Sequence, residues 1–242
     1  MRFLAFLYGL VCYGVFFLTF LYAVGFLGNF GVPRTVDAGG AAAPFGLALA
    51  INVGLLGLFG LQHSVMARQG FKRAWTKVVP APVERSTYVL LSSLLLILLF
   101  WQWRPMPGVV WEVEDSIGGG VLWALFGAGW VLVLLSSFAI SHFDLFGLQQ
   151  VYRYLHGREQ AAPGFKMPLL YKIVRHPLYV GWITVFWAIP RMTVGHMVFA
   201  VVATAYILVA IQLEERDLAR FHPEYGEYRK RVPMLIPLPR RK

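Results

Sequence analysis

The sequence predicts an all-α integral membrane protein, a bundle of about six apolar helices of which five to six span the bilayer. Three observations predict it. Hydrophobic residues make up 58% of the 242 residues and charged ones only 14%, where a soluble domain carries about 25% charged. The apolar residues come in long uncharged runs, and a span needs about 20 of them to cross about 30 Å of hydrocarbon. The lysines and arginines stand between the runs and favour alternate loops, the pattern that orients membrane helices.

The runs follow in order. The first, Phe3–Phe30, far exceeds the core of a signal peptide, about 7–15 residues, so it reads as a retained span. Pro44–Gln62, Ser86–Trp103 and Gly119–Ile140 are the second to fourth. The fifth, Pro177–Pro190, is short and covers only about 21 Å as a helix. Thr193–Leu213 is the sixth. Gly54, Gly57 and Gly60 recur every third residue on the second run, a spacing that predicts close helix approach there.

The loops set the orientation. Arg68, Lys72, Arg73, Lys77 and Arg85 lie between the second and third runs. Arg153, Arg158, Lys166, Lys172 and Arg175 lie between the fourth and fifth. Arg229, Lys230, Arg231, Arg240, Arg241 and Lys242 end the chain. The loop after the third run is acidic (Glu112, Glu114, Asp115) and the first loop holds only Arg34. Both termini and the basic loops are therefore expected in the cytoplasm, which for a bacterium means the inner membrane. The net charge of +10 is accounted for by these loops, so no nucleic-acid partner is expected. Cys12 is the single cysteine, which leaves no intrachain disulfide and no cysteine-based metal site.

Ionisable and polar groups gather at the cytoplasmic ends of the runs. They are Gln62-His63-Ser64 with Arg68, then Glu84-Arg85-Ser86-Thr87-Tyr88, then Ser141-His142-Phe143-Asp144. Arg175-His176-Pro177 and Glu214-Glu215 complete the set. Such groups are costly in a membrane and usually face a cavity or one another. Interfacial anchoring explains arginine stems well, but histidines and carboxylates poorly. The histidines lack a His-x-x-x-His pair, so a metal is not expected.

The stretch Arg175–Tyr228 carries the most chemistry. Pro177 suits the first turn of a helix, whose free N–H groups favour an anion such as a carboxylate. Tyr179 and Gly181 follow. Across an apolar hairpin come Glu214, Glu215, Leu218 and Phe221, then Tyr225 and Tyr228 three residues apart. Carboxylates suit ribose hydroxyls or an amino group, and a ring face attracts a cation. The parts suit a nucleotide-like ligand with a carboxylate and a positive centre.

Arg175-His176-Pro177-Leu178-Tyr179-Val180-Gly181, the hairpin, and then Glu214-Glu215, Leu218, Phe221, Tyr225, Tyr228 and Val232-Pro233 resemble the membrane methyltransferases related to isoprenylcysteine carboxyl methyltransferase and phospholipid N-methyltransferases. The resemblance implies that the C-terminal hairpin binds S-adenosylmethionine as methyl donor. It places Arg175, His176, Pro177, Tyr179, Gly181, Glu214, Glu215, Tyr225 and Tyr228 at that donor. Gln62–Arg68, Glu84–Tyr88 and Phe100–Pro105 resemble the bacterial methanethiol S-methyltransferases, which implies a small volatile thiol as acceptor and dimethyl sulfide as product. On that footing Ser64, Arg68, Tyr88 and Gln102 are candidate substrate-binding residues. Residues 1–145 would form the acceptor side and 146–242 the donor side of a single membrane domain.

Methyl transfer from a sulfonium is an in-line displacement, helped mostly by proximity and orientation. A thiolate is the good nucleophile, so a base is expected. The candidate catalytic residues are His63, His142 with Asp144, and Arg85 to stabilise the thiolate. A small apolar thiol can enter from the bilayer, and the charged donor from the cytoplasm. Three rivals stand beside this reading: a lipid or isoprenylcysteine acceptor, an NADPH-dependent membrane reductase, and a transporter. One-sided polar groups argue against the last, whose site belongs at the midplane.

Overall fold

The structure is a computed structural model that describes residues 1–159 and 168–237. Lys166, Arg240, Arg241 and Lys242 lie outside the described residues. The elements are α1 (Arg2–Gly28), α2 (Phe45–Ala67), α3 (Gln69–Trp75), α4 (Ala81–Gln102), β1 (Val109–Glu112) and α5 (Ser116–Ile140), followed by α6 (His142–Leu145), α7 (Leu148–Leu155), α8 (Leu169–Ile173), α9 (Pro177–Trp187), β2 (Arg191–Thr193), α10 (Val194–Phe221) and α11 (Tyr225–Arg231). Helices α1, α2, α4, α5 and α10 are long and apolar enough to cross a membrane. The protein is thus an all-α integral membrane protein, and the two strands among the described residues form one small pair.

The helices outrun the apolar segments that predict them. Helix α2 continues to Ala67, α4 begins at Ala81 and α10 continues to Phe221. An apolar run marks where hydrocarbon can cover a helix. The backbone ladder goes on wherever its own hydrogen bonds are made, so His63, Arg85, Glu214 and Glu215 stand on helix rather than in loops. Helix α9 is the exception in length. Its 11 residues rise only about 16 Å.

The chain forms two compact units, interleaved in sequence. The first contains α1 to α4, α6, α7 and the start of α10. Helix α1 packs on α4 and α7, and α2 packs on α4. A Cβ at Gly9 would lie 2.4 Å from a Val151 methyl, so glycine lets α7 close on α1. The segment after α1 is pinned at several points. Asn29 turns it with a left-handed φ of 59°, and the Trp103 indole donates to the Val36 carbonyl at 2.9 Å. Asn52 exchanges two hydrogen bonds with the Arg104 backbone, at 2.8 and 2.9 Å. Gly54 and Gly57, expected at a helix contact, face open space.

The second unit contains α5, α8, α9, most of α10 and α11. Asp115 caps α5 by accepting from Gly118 N–H. Helices α5 and α9 run antiparallel in tight contact. A Cβ at Gly129 would stand 2.8 Å from Val185 Cγ2, and one at Gly181 2.8 Å from the Gly129 carbonyl. Added volume at either glycine costs about 1–3 kcal/mol. What approaches the Gly181 backbone is therefore a helix. Trp187 of α9 donates to Thr204 of α10 at 3.0 Å. Many large apolar side chains on the long helices stay exposed, Leu125, Val131 and Leu135 on α5 among them; acyl chains would cover them.

Candidate active site

Two constellations hold most of the candidate residues, one in each unit. In the second unit Pro177 opens α9, its ring supplying the fixed φ that a first turn wants. That leaves Arg175 and His176 just ahead of the helix, where both are buried. Glu215, 2% exposed, receives both. Its Oε1 accepts from Arg175 Nε at 2.6 Å and from His176 Nε2 at 3.0 Å. Its Oε2 lies 3.2 Å from Arg229 Nε. Arg175 Nη1 also donates to the carbonyls of Val232 (2.6 Å) and Arg229 (3.2 Å). The backbone N–H groups of Arg175 and His176 donate to Pro233 and Met234. The cluster thus binds the end of the chain to the start of α9 and to α10.

Glu214 and Tyr179 are half-buried beside this node. The Tyr179 hydroxyl donates to Glu214 Oε2 at 3.0 Å, and its ring lies 5.6 Å from that of His176. Tyr225 and Tyr228 are buried, their rings 5.6 Å apart. Burial pushes the Tyr228 phenol up to about 12, so it stays protonated and donates to the Tyr171 carbonyl at 2.6 Å. Burial, with Glu215 next, raises Tyr225 as well.

In the first unit His63, on α2, faces α4. The Tyr88 hydroxyl lies 2.9 Å from His63 Nε2 and 3.0 Å from Nδ1. Ser92 Oγ lies 3.2 Å from Nδ1 and donates to Gln62 Oε1 at 3.2 Å. The Arg85 guanidinium sits 4.9 Å above the Tyr88 ring, and its Nε donates to the Leu145 carbonyl at 2.8 Å. Arg68 follows the end of α2 and donates to the Ser64 carbonyl at 3.2 Å.

His142 and Asp144 each have a partner of another kind. His142 Nε2 pairs with the Tyr13 hydroxyl at 2.9 Å, among the rings of Phe143 and Phe146. Asp144 Oδ1 accepts from Gln150 at 3.0 Å. Burial lowers the His142 pKa below the ordinary histidine value. Gln102 ends α4, and its Oε1 accepts from Arg104 at 3.1 Å. Seventeen residues separate Arg85 from Gln102 on one helix, which is about 25 Å. The structure therefore gathers His63, Tyr88 and Arg85 but not Gln102. Ser92 and Arg229 were missed in the sequence. Ser92 sits one turn past Tyr88 on the same helix face, which was the available signal. Arg229 gave none, being one basic residue of a basic tail. Among the described residues no group of three or more His, Cys, Asp or Glu is placed to hold a metal ion.

The fold and these two constellations define a polytopic helical membrane protein with clustered polar side chains in each of its two units. No protein-family model matches the chain, and no solved structure is detectably similar. Curated relatives are. The chain is 55% identical to the methanethiol S-methyltransferase of Mycobacterium tuberculosis over 241 residues, 99% of this chain and 98% of that one. It is 56% identical to the methanethiol S-methyltransferase of Crocosphaera subtropica, covering 96% and 91% of the two chains. A more distant similarity, 32% identity over 70% of this chain and 68% of the other, links it to human Nurim. The chain belongs to the methanethiol S-methyltransferase family.

Proposed function

We propose that this protein methylates methanethiol with S-adenosylmethionine and releases dimethyl sulfide. The observation that carries the reading is the 55% identity, end to end, with a methanethiol S-methyltransferase. As a member of that family the protein is a methyltransferase, and it needs a methyl donor. Glu214, with Tyr179 held against it, offers a carboxylate beside a ring, which fits an adenosine ribose or an ammonium group and a cationic sulfur. S-adenosylmethionine, when bound, supplies an electrophilic methyl group.

Arg175, His176, Glu215 and Tyr228 then act mainly by fixing this wall. Glu215 already meets two arginines and a histidine. On the acceptor side His63, Tyr88 and Arg85 serve the thiol, with Ser64 nearby on α2 and Arg68 just past its end. Residues 1–145 supply that side and residues 146–242 the donor side. The basic loops favour cytoplasmic termini and, in a bacterium, the inner membrane. A neutral thiol then arrives through the bilayer and the charged donor from the cytoplasm.

The test is headspace gas analysis of membranes containing the protein, given methanethiol and S-adenosylmethionine. Dimethyl sulfide should form only when both are supplied. Formation with another methyl donor alone, or no dimethyl sulfide at all, refutes the proposal. Titration of purified protein with S-adenosylmethionine and with NADPH separates the transferase from a reductase.

A further inference from the structure

Helices α8 and α11 enclose a cleft of about 220 Å³. Lys172 of α8 lines it on one side, and Glu224, Glu227, Tyr228, Arg231 and Val232 line it from the start of α11 to just past its end. Glu224, Glu227, Tyr228 and Arg231 recur at helical spacing, so they share one face of α11. The two walls are tied together. The Tyr228 hydroxyl donates to the Tyr171 carbonyl at 2.6 Å, and the N–H groups of Arg175 and His176 donate to Pro233 and Met234. Tyr228 and Val232 are buried and give the cleft an apolar floor. Its charges are unevenly engaged. Glu227 accepts from Lys230 at 2.7 Å, so it is not the partner of Arg231 one turn later. Among the described residues neither Arg231 nor Lys172 makes a hydrogen bond or an ion pair. Glu224 stands 3.6 Å from His222 Nδ1, beyond hydrogen-bond reach.

We propose that this cleft holds the head group of a zwitterionic amine phospholipid from the surrounding bilayer. The phosphodiester lies between Lys172 and Arg231, and the ammonium lies toward Glu224. Position argues for a lipid. Helix α10 is long and apolar enough to cross the membrane, and three residues separate it from α11. The cleft therefore opens just past the end of a span, where head groups are. Helix α8 shows the solvent or the bilayer Leu169 and Ile173, 75% and 52% exposed and one turn apart, with Lys172 beside them. Apolar side chains next to a lysine suit the boundary between acyl chains and head groups. Chemistry argues for the phosphate: a guanidinium meets phosphate oxygens with two N–H groups, and an ammonium adds a compact charge. The carboxylates choose the head group. A second negative charge would stand beside Glu224, whereas an ammonium there finds a counter-charge. A lipid so held bridges α8 and α11, and it does so whatever acceptor or donor the protein uses.

The probe is dioleoyl phosphatidylethanolamine, titrated into the full chain in detergent and counted on the protein by native mass spectrometry. Phosphatidylglycerol with the same acyl chains and inorganic phosphate are the comparison arms. The wild type should bind one phosphatidylethanolamine more tightly than it binds phosphatidylglycerol, and its unfolding temperature should rise with that lipid. Phosphate at the same concentration should leave the unfolding temperature where it was. Lys172→Gln combined with Arg231→Gln should weaken the tight site about tenfold. Both side chains are exposed, so the lipid-free unfolding temperature should not move. Glu224→Gln should weaken phosphatidylethanolamine alone and so narrow its lead over phosphatidylglycerol. A double variant with wild-type lipid affinity overturns the proposal. So does phosphatidylglycerol bound as tightly as phosphatidylethanolamine, or phosphate that stabilises the protein equally well, which would make the cleft a free-anion site. Should the double variant fold poorly, Glu224→Gln decides alone: an unchanged preference between the two lipids refutes the assignment.

Discussion

The Glu215 cluster and the His63 chain solve the same problem differently. Both place polar side chains at the end of an apolar helix. Around Glu215 the solution is charge against charge, one carboxylate facing two guanidiniums, with the His176 imidazole also donating to it and with the Val232 and Arg229 carbonyls accepting from Arg175 Nη1. Around His63 it is a set of polar side chains, Tyr88, Ser92 and Gln62, hydrogen-bonded to the ring or to one another. A buried ion cluster is rigid, because removing its carboxylate leaves the buried Arg175 without a counter-charge. The difference separates a constellation that ties distant elements together by charge from one made of neutral groups on two neighbouring helices.

The largest expected effect breaks the first constellation. Glu215→Ala leaves Arg175 buried without its carboxylate and should cost about 3–5 kcal/mol, read as a fall in unfolding temperature in detergent together with lost donor binding. If stability is retained, the cluster is not what ties the chain's end to α9. His63→Gln should leave stability nearly unchanged and lower kcat with methanethiol by about 10²-fold. Equal losses of stability in the two variants would erase the contrast between the regions.

Removing one hydroxyl should matter less. Tyr179→Phe takes away the bond to Glu214, worth about 1–1.5 kcal/mol, so donor affinity by calorimetry should weaken about tenfold with the fold intact. Smaller again is a dependence on pH through His142. Burial lowers its folded pKa, so its contribution to stability is present above the ordinary value of about 6.5 and is lost as pH falls below it. Unfolding temperature should drop between about pH 7 and pH 5, and His142→Gln should flatten that slope. Gln102→Ala should do least, within about 0.5 kcal/mol in stability and with kinetics near wild type. A large loss of kcat there would mean that the far end of α4 reaches the acceptor after all.

Much of this could be read in the sequence, for reasons particular residues make plain. The five long helices were legible because hydrocarbon demands long uncharged runs, and α1 and α5 end within a few residues of theirs. The helix starting at Pro177 was legible because a proline with no N–H fits a first turn. The close packing was not. Gly54 and Gly57 had the spacing of a helix contact and face open space, while Gly129 and Gly181, far apart in the chain, touch. Spacing says which residues share a face and nothing about what the face meets. The pairing of His142 with Tyr13 rather than with its neighbour Asp144 is of the same kind, since Tyr13 is 129 residues away.

By itself, then, the sequence determined the solvent and the parts. Composition required a membrane, the loops favoured an orientation, and the Arg-His-Pro and Glu-Glu motifs named a chemistry. Tertiary structure decided the roles. Glu214 and Glu215 are adjacent and chemically identical, yet one is half-buried beside Tyr179 and the other lies sealed among Arg175, His176 and Arg229. Successive helical residues point about 100° apart, so neighbours in sequence face different surroundings. Only the packing of the other elements says which surroundings each one meets.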